Sequence, residues 1–190
     1  MTDDTRCVWC GTDPLYTAYH DTEWGVPLHT SHGWYERIVL ETMQAGLSWI
    51  TVLRKRERYR LVCDGFDPER VARYGVADVE RLVADPGIIR NRAKIEAMIG
   101  NAQAFIRLSE KHGNIDAFFW GFVDGVPQQP HYRTHADIPT ITPVAVHIAK
   151  TLKDAGFRFV GPTMCYALMQ ATGLTNDHVT SCHRHAVLRA

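Results

Sequence analysis

Residues 78–94 read DVERLVADPGIIRNRAK, which is a short helical stretch, a Pro-Gly turn and then a longer helix that opens with cations. This order predicts a helix-hairpin-helix. Gly87 would let a DNA backbone approach the turn closely, and the free N–H groups at the start of the second helix can bind a phosphate. Further donors that would position the backbone without reading its sequence are Arg90, Asn91, Arg92 and Lys94. An ordinary helical hairpin in the core is the alternative.

The rest of the chain extends the helical prediction. Apolar residues recur mainly at spacings of three and four, which indicates amphipathic helices and is clearest over residues 88–108. Other helices are predicted near residues 13–22, 32–46, 48–63, 78–84, 142–155 and 162–172. Residues 121–143 contain four prolines and are predicted to form a long surface loop. We therefore expect an all-α fold.

Length and composition favour one domain over residues 1–190. With 190 residues, of which 45% are hydrophobic, the chain can bury a sizeable core. No stretch approaches the ~20 consecutive apolar residues that a membrane span needs, and the acidic start, MTDD, is unlike a signal peptide. We expect a soluble cytoplasmic protein without a membrane partner.

The net charge is zero, because 21 Lys and Arg residues balance 21 Asp and Glu residues. Binding to nucleic acid would therefore depend on local patches. One candidate patch is residues 54–60, RKRERYR, which place five cations in seven residues and could make several phosphate contacts if they face one way. A solvated helix surface is the alternative.

Cysteine and histidine residues near the two termini predict a metal site. The chain has five cysteines, and a reducing cytosol disfavours disulfides between them. His178 and Cys182 are four residues apart, which places them on one face of a helical segment, and thiolate with imidazole is a ligand set of structural zinc. Cys7 is a third candidate ligand, while Cys10 and His20 compete for the fourth place.

Aromatic residues crowd the start of the chain, and one more follows later; the set is Trp9, Tyr16, Tyr19, Trp24 and Trp49. Aromatic faces can stack on a base that has left the duplex and can attract a cation. Such an arrangement suits an enzyme that acts on an extruded base. Simple packing in the core is the alternative for these rings.

Glu41 lies at the edge of the apolar stripe of its predicted helix, beside Trp34, Ile38 and Ala45. A carboxylate in such a place should be partnered or functional. It could hydrogen-bond the exocyclic amine and a ring nitrogen of adenine while its negative charge favours a cationic base. The alternative is a salt bridge to Arg37, one turn back in the helix.

The chain resembles the DNA-3-methyladenine glycosylase I family, a branch of the helix-hairpin-helix glycosylase superfamily, over nearly its whole length. The stretches that carry the resemblance are DPLY (13–16), YHDTEWGVP (19–27), QAGLSWITVL (44–53), GIIR (87–90) and NDH (176–178). The resemblance implies a single-domain, all-α glycosylase fold. It also implies one structural Zn²⁺ per chain that joins the termini, with the ligands Cys7, His20, His178 and Cys182, and so favours His20 over Cys10.

The resemblance further implies a base pocket, whose members are Trp9, Tyr16, Tyr19, Trp24, Glu41 and Trp49. It places Leu47 where such enzymes insert a wedge into the base stack. Leu47 would contact DNA together with Gly87, Arg90, Asn91 and Lys94. The implied substrate is double-stranded DNA that contains alkylated adenine, the product is free 3-methyladenine, and a monomer suffices for the reaction.

The implied activity is hydrolysis of the N-glycosidic bond of N3-methyladenine by a monofunctional glycosylase of base excision repair, after base flipping. Methylation makes the adenine a cation, so the bond is already weak and little acid catalysis is required. Glu41 is the candidate catalytic residue, either as a base contact or by orienting water. Many superfamily relatives carry a catalytic aspartate after the hairpin, which this family lacks; Asp116 and Asp124 lie downstream, and pattern alone leaves them open. It equally leaves His183 and His185 open as metal ligands.

Two other function classes fit parts of the sequence. A metal-dependent hydrolase would use the zinc for catalysis, but four protein ligands leave no open position for water. A non-enzymatic DNA-binding module would use the hairpin for phosphate and the aromatic residues for its core. Glu41 beside apolar neighbours fits that module poorly.

Overall fold

The computed structural model describes residues 5–189, which form helices and connecting loops. The α-helices are α1 (Pro14–Thr22), α2 (Ser31–Gln44), α3 (Trp49–Leu53), α4 (Arg56–Val62), α5 (Pro68–Val71), α6 (Val76–Ala84), α7 (Arg92–His112), α8 (Ile115–Trp120), α9 (Pro143–Asp154), α10 (Pro162–Ala171) and α11 (His183–Val187). Short 3₁₀ helices span Val8–Cys10, Asp64–Phe66, Gly121–Val123 and His135–Asp137. The predicted all-α fold is confirmed, and the parts of the predicted domain at residues 1–4 and 190 lie outside the described residues.

Helix α2 lies at the centre of the core, where it packs against α7, α8 and α10. Trp34 stacks on Phe119 of α8 with ring centroids 4.3 Å apart. The buried hydroxyl of Tyr35 donates a hydrogen bond of 3.0 Å to the carbonyl oxygen of Met98 on α7. Because burial of such large side chains stabilises the packed state, α2 is held on several sides, and the position of Glu41 near its end is held with it.

The predicted hairpin is formed by α6, the turn after it and α7. Asp85 accepts a hydrogen bond from the backbone N–H of Gly87 at 2.7 Å, and Asn91 caps α7 by accepting from the N–H of Lys94 at 3.1 Å. A Cβ atom on Gly87 would lie 2.5 Å from Cγ of Arg58. A side chain at residue 87 would therefore have to displace the Arg58 side chain of α4, which favours glycine at this position.

Helix bounds differ from the prediction in three clear cases. The helix predicted over residues 88–108 is α7, which begins at Arg92 and ends at His112. The helix predicted over residues 48–63 is divided into α3 and α4, where the N–H of Lys55 bonds the carbonyl of Val52 at 2.9 Å and tightens the turn. The helix predicted over residues 32–46 ends at Gln44, and Gly46 has a φ of 78°, a conformation that favours glycine. The sequence period did not show either interruption.

The stretch over residues 121–143 contains two of the 3₁₀ helices and is otherwise irregular, as predicted for a loop. The N–H of Gln128 donates to the carbonyl of Leu174, and the N–H of Asn176 donates to the carbonyl of Gln128, both at 2.9 Å. These bonds form an isolated parallel bridge. The loop is thus tied to the segment that leads into the C-terminal metal-ligand candidates.

The two ends of the chain meet, as the sequence predicted. The N–H of His183 donates to the carbonyl of Thr5 at 2.9 Å. A second buried cluster, separate from the main core, joins the ends and contains Cys7, Tyr19, Trp24, Leu53, Ala171, Val179 and Cys182. Among the helices described, none combines the length and the apolar character needed to pass through a membrane.

Candidate functional site

A cavity of about 650 Å³ is lined by residues of α1, α2, α3 and α10. We call it the aromatic cavity. Six of its lining residues are those predicted to form a base pocket: Trp9, Tyr16, Tyr19, Trp24, Glu41 and Trp49. The structure therefore brings together side chains that lie up to 40 positions apart in the sequence.

The rings of the aromatic cavity pack against one another at inclined angles. The centroid of Trp9 lies 5.0 Å from that of Tyr16 and 4.9 Å from that of Trp24. The rings of Tyr19 and Trp49 are 5.4 Å apart. Such tilted and edge-to-face contacts favour fixed ring positions. The walls are consequently shaped before any ligand enters.

Glu41 is the acidic residue of the aromatic cavity and is only 4% exposed. Among residues 5–189, none donates a hydrogen bond to its carboxylate or forms an ion pair with it. The alternative salt bridge with Arg37 does not form, because Arg37 pairs with Glu23 at 2.8 Å. Burial raises the pKa of Glu41 to about 8, against the opposing charge of Arg37. A buried carboxylate without a protein partner is costly, so its retention points to a ligand.

Glu23 shows the opposite arrangement a short distance along the chain. Arg56 donates to both of its carboxylate oxygens, at 2.6 and 2.8 Å, and Arg37 donates at 2.8 Å. Burial opposes ionisation of Glu23, but the hydrogen bonds from Arg56 and Arg37 outweigh it and hold its pKa at about 2. Arg37, whose charge acts on Glu41 without bonding to it, is thus an ion-pair partner of Glu23.

The cations of residues 54–60, for which phosphate binding and a solvated helix surface were the two interpretations, are each bonded within the protein. Besides Arg56, they pair within the protein as follows: Arg54 with Asp13 (2.6 Å), Lys55 with the Pro86 carbonyl (2.9 Å), Arg58 with Asp85 (2.7 Å) and Arg60 with Glu36 (2.7 Å). These contacts connect α4 and the residues before it with the start of α1, with α2 and with the hairpin turn. The run thus connects elements that surround the site.

One wall of the aromatic cavity was not predicted. It is a face of α10 with residues at helical spacing, namely Thr163, Met164, Ala167 and Gln170. The sequence had predicted a helix over residues 162–172 but could not show which face lines a cavity, since both faces are rich in apolar residues. A signal was present in Gln170, which is an amide in a largely apolar helix, as Glu41 is a carboxylate beside apolar neighbours.

Four of the five residues predicted to contact DNA form two groups at the surface. Leu47 is 37% exposed and follows Gly46, and its carbonyl accepts a bond of 2.7 Å from the side chain of Gln44. Arg90 and Asn91 are also exposed, near the hairpin turn. Gly87 lies beside them at intermediate exposure. The structure thus leaves these four residues accessible at the surface.

Lys94 belongs to neither group, which corrects its assignment as a DNA contact. Its side chain is buried, and its ammonium donates to the carbonyls of Met43 at 2.9 Å and Ala45 at 2.6 Å. These carbonyls lie at the C-terminal end of α2, where the helix dipole favours a cation. Lys94 therefore connects α7 of the hairpin to the end of the helix that carries Glu41.

The predicted metal ligands converge in a buried cluster. One ligand atom each from Cys7, His20, His178 and Cys182 lies within 4.8 Å of all the others. Sγ of Cys182 is 3.5 Å from Nε2 of His20 and 3.4 Å from Nδ1 of His178, and Sγ of Cys7 is 3.6 Å from Nδ1 of His178. The hydrogen bond from the Cys7 thiol, with those of the two histidines, lowers the pKa of Cys182 well below its usual range. The cluster could hold a metal ion.

The other ring nitrogen of each histidine is fixed by an acceptor. Nδ1 of His20 lies 2.7 Å from the carboxylate of Asp21, and Nε2 of His178 donates to the carbonyl of Trp24 at 3.0 Å. Such bonds set the ring orientation and direct the remaining nitrogen of each histidine into the cluster. Trp24 and His20 also connect this cluster to the aromatic cavity, because Trp24 lines it and Tyr19 precedes His20 on α1.

The alternative candidates for metal ligands and for a catalytic aspartate lie outside the cluster and the cavity. Cys10 donates its thiol to the carbonyl of Cys7 at 3.1 Å and is not a member of the cluster, nor are His183 and His185. Asp116 accepts a bond of 2.9 Å from the indole of Trp34 and, like Asp124, does not line the aromatic cavity. Neither aspartate is placed to act on a ligand there.

Comparisons with known proteins agree with this geometry. The family model for methyladenine glycosylase matches residues 9–185. The chain is 52% identical to the DNA-3-methyladenine glycosylase 1 of Escherichia coli K12 over 177 residues, which cover 93% of this chain and 95% of the relative. A crystal structure of a 3-methyladenine DNA glycosylase I superposes with a TM-score of 0.92 at 52% identity, covering 94% of this chain and 98% of that one. A point variant of another such enzyme, solved in complex with 3-methyladenine, gives a TM-score of 0.91 at 35% identity, with 94% and 96% covered.

Proposed function

The chain belongs to the methyladenine glycosylase family, and we propose that it hydrolyses the N-glycosidic bond of N3-methyladenine in alkylated, double-stranded DNA as a monofunctional enzyme of base excision repair. The observation that carries this proposal is Glu41, a buried carboxylate with no partner among the described residues, in a cavity with aromatic walls. A cavity of this kind suits a flat, cationic base. Because the substrate is chromosomal DNA, the enzyme would act in the cytoplasm at the nucleoid, and one subunit suffices.

The chemistry asks little acid catalysis of the protein. N3-methylation places a positive charge on the adenine, so the base leaves as a neutral molecule when the bond to the sugar breaks. The aromatic residues, among them Tyr16 and Trp49, receive the flipped base and hold it. A cavity that bound the cation far better than the neutral product would stabilise the ground state and slow the reaction. Their role is therefore recognition.

Glu41 is the proposed catalytic residue. Its raised pKa of about 8 means that the carboxyl group is largely protonated at neutral pH before a base enters. A cationic base would favour the ionised form, since an opposite charge nearby lowers the pKa of a carboxyl group. Glu41 would then accept a hydrogen bond from the base and could orient the water that attacks the sugar carbon.

DNA would be held by the surface that carries Leu47 and the hairpin turn. Leu47 would fill the space that the extruded nucleotide leaves in the stack. Gly87, Arg90 and Asn91 would contact the backbone near the start of α7, where free N–H groups favour phosphate. Lys94 would act on DNA only indirectly, by holding the end of α2 against α7.

We further propose that the cluster of Cys7, His20, His178 and Cys182 binds one structural Zn²⁺. Zinc with its usual Zn–S and Zn–N distances in tetrahedral geometry separates sulfur from nitrogen ligands by about 3.6 Å, and the separations here are 3.4–3.6 Å. The metal would stabilise the junction of the two termini. Four protein ligands leave no position for a catalytic water, which disfavours a metal-dependent hydrolase.

The test is release of free base from methylated duplex DNA, measured by chromatography without added metal. We expect the wild-type chain to release 3-methyladenine and to leave 7-methylguanine in place. Glu41→Gln should lower the rate by about 100-fold with its fold intact, whereas the control Glu96→Gln, an exposed position on α7, should keep the wild-type rate. DNA binding without release of any base would overturn the glycosylase and favour a binding module.

A further inference from the structure

The face of α10 that lines the aromatic cavity carries one amide, Gln170. Its backbone is fixed, because its carbonyl accepts a bond of 3.0 Å from the N–H of Gly25, the residue after Trp24. Its side chain is fixed as well, since Nε2 donates to Oδ2 of Asp177 at 2.8 Å. Hydrogen bonds thus fix both the backbone and the side chain of Gln170 at the cavity wall. The sequence alone did not predict that this residue lines a cavity.

Asp177 is fully buried and collects several donors. Its Oδ1 accepts from the hydroxyl of Thr175 at 2.6 Å, and its Oδ2 accepts from the hydroxyl of Tyr166 as well as from Gln170. Burial, followed by the bond to Asp177, raises the pKa of Tyr166 well above its usual range, so its hydroxyl remains a donor. The surroundings therefore suit an acceptor at residue 177.

This network decides the orientation of the Gln170 amide. A carboxylate can only accept hydrogen bonds, so the NH₂ group must face Asp177 and the oxygen Oε1 must face away from it. Among residues 5–189, no group donates a hydrogen bond to Oε1 of Gln170. This oxygen is also absent from the fully buried polar atoms that lack a partner, so it remains accessible. Because Gln170 lines the aromatic cavity, Oε1 is available to a ligand there as an acceptor.

We propose that Gln170 is a specificity-determining residue, whose amide oxygen accepts a hydrogen bond from the exocyclic amine of the bound base, and that Asp177 is the residue that positions it. This inference rests on the proposed function. Glu41 and Gln170 both line the cavity, and each offers an acceptor without a hydrogen-bond donor among residues 5–189. The amine at C6 of adenine offers two hydrogens. A base with a carbonyl at C6 would instead place its carbonyl oxygen against the amide oxygen of Gln170, and two acceptors repel each other.

The discrimination follows from this repulsion. A site built to bond a particular donor rejects an analogue that lacks it, because polar groups of the site are then left unpaired. One neutral hydrogen bond of this kind changes relative affinity by about tenfold. Weakness of the glycosidic bond is not the whole source of such a preference, since N3-methylation also activates the bond of a purine that carries a carbonyl at C6. Gln170 would thus select among bases that are all easy to release.

The test compares two free bases, 3-methyladenine and 3-methylhypoxanthine, which differ by an amine and a carbonyl at C6. Titration of the tryptophan fluorescence gives a dissociation constant for each base. In Gln170→Met, which keeps length and removes the acceptor, we expect the preference for 3-methyladenine to fall about tenfold relative to wild type. The control Gln103→Met, whose amide bonds the carbonyl of Ala72 away from the cavity, should retain the full preference.

A second variant tests the orientation of the amide. In Asp177→Asn, residue 177 can donate as well as accept, so the Gln170 amide can turn and present NH₂ to the base. The preference should then fall although every residue of the cavity wall is unchanged. Thermal unfolding checks that each variant is folded, and Gln170→Asn, which withdraws the amide by one methylene, replaces Gln170→Met if that variant is not.

The possible outcomes separate the two proposals. If wild type binds neither base and releases none from DNA, the proposed function fails. If wild type binds and releases 3-methyladenine but the folded Gln170 variant keeps the wild-type preference, the role of Gln170 is wrong while the glycosylase stands. A folded Asp177→Asn with an unchanged preference would remove the positioning role of Asp177.

Discussion

The metal-ligand cluster and the aromatic cavity are two buried polar regions that share α1, yet they differ in how their polar atoms are satisfied. In the cluster, each histidine is oriented by an acceptor, Asp21 for His20 and the Trp24 carbonyl for His178. In the cavity, Glu41 has no partner within residues 5–189. Since burial of an unpaired carboxylate is costly, the cluster fits a role in stability and the cavity a role in binding.

The two regions are nevertheless adjacent in the chain. Tyr19 lines the cavity and His20 belongs to the cluster, and both lie near the end of the nine-residue helix α1. A structural change in the cluster should therefore reach the cavity. Three kinds of variant test this difference between the two regions. The largest change in stability is expected from removal of a metal ligand, a smaller one from neutralisation of Glu41, and the smallest from loss of the bonds at the end of α2.

Removal of one metal ligand should have the largest effect on stability. Cys182→Ser is expected to lose bound zinc and to lower the free energy of unfolding by on the order of 5 kcal/mol, because the metal binds the folded chain. For a chain of this size, the melting temperature would fall by about 15 °C. Metal content and thermal unfolding measure both effects.

The matched control is Cys10→Ser. Cys10 is also a buried thiol near the cluster, but it bonds the carbonyl of Cys7, and a hydroxyl can make the same bond. This variant should keep one zinc per chain and a melting temperature close to that of wild type. If Cys182→Ser also kept both, the cluster would not be a zinc site.

Neutralisation of Glu41 should have the opposite sign, since it removes an unfavourable group. The folded-state pKa of Glu41 is about 8, against 4.5 as the ordinary value. The folded state therefore resists ionisation, and stability is lost as pH rises from about 4.5 to about 8. Glu41→Gln removes this loss, so the variant should be more stable than wild type at pH 8 by on the order of 3 kcal/mol, with much less difference at pH 5.

Urea unfolding at pH 5 and pH 8 provides the measurement. Effects of pH on the metal cluster occur in both proteins and cancel in the difference between them. Glu96→Gln, on the exposed face of α7, is the control and should track wild type at both pH values. Equal stability of wild type and Glu41→Gln at pH 8 would show that Glu41 has a partner after all.

The sequence predicted those features that depend on local pattern or on residue type. Periodicity located most helices, and the Pro-Gly turn located the hairpin. The chemistry of Cys7, His20, His178 and Cys182, together with the family resemblance, gave a ligand set that the structure assembles. The concentration of aromatic residues near the start of the chain indicated either a base pocket or core packing, and the family resemblance favoured the pocket.

The features that sequence reasoning missed depend on tertiary packing. The cations of residues 54–60 looked free because their partners lie on α1, on α2 and in the hairpin turn. The cavity face of α10 was hidden because this helix is apolar on several sides, so periodicity could not select one. Lys94 looked like a DNA contact because its acceptors, the Met43 and Ala45 carbonyls, are about 50 positions away in sequence.

The smallest change in stability is expected from substitution of Lys94. This variant also best distinguishes a role of Lys94 in the DNA-binding hairpin from a role in supporting the cavity. Lys94→Met keeps the buried aliphatic stem but removes the ammonium that bonds the end of α2. Two carbonyls would lose their donor, so the free energy of unfolding should fall by about 2 kcal/mol. The metal content should not change, because the cluster lies on other elements. Lys111→Met, an exposed change on the same helix, is the control.

The functional readout distinguishes packing from DNA contact. If Lys94 holds the end of α2, its loss should weaken binding of free 3-methyladenine, because Glu41 lies on that helix and Gln44, Ala45 and Gly46 line the cavity. A lysine that bound phosphate would instead change only the affinity for DNA and reduce its salt dependence. Free-base affinity that stays at the wild-type value, with weakened DNA binding at low salt, would therefore restore Lys94 to the DNA surface and contradict its place in the structure.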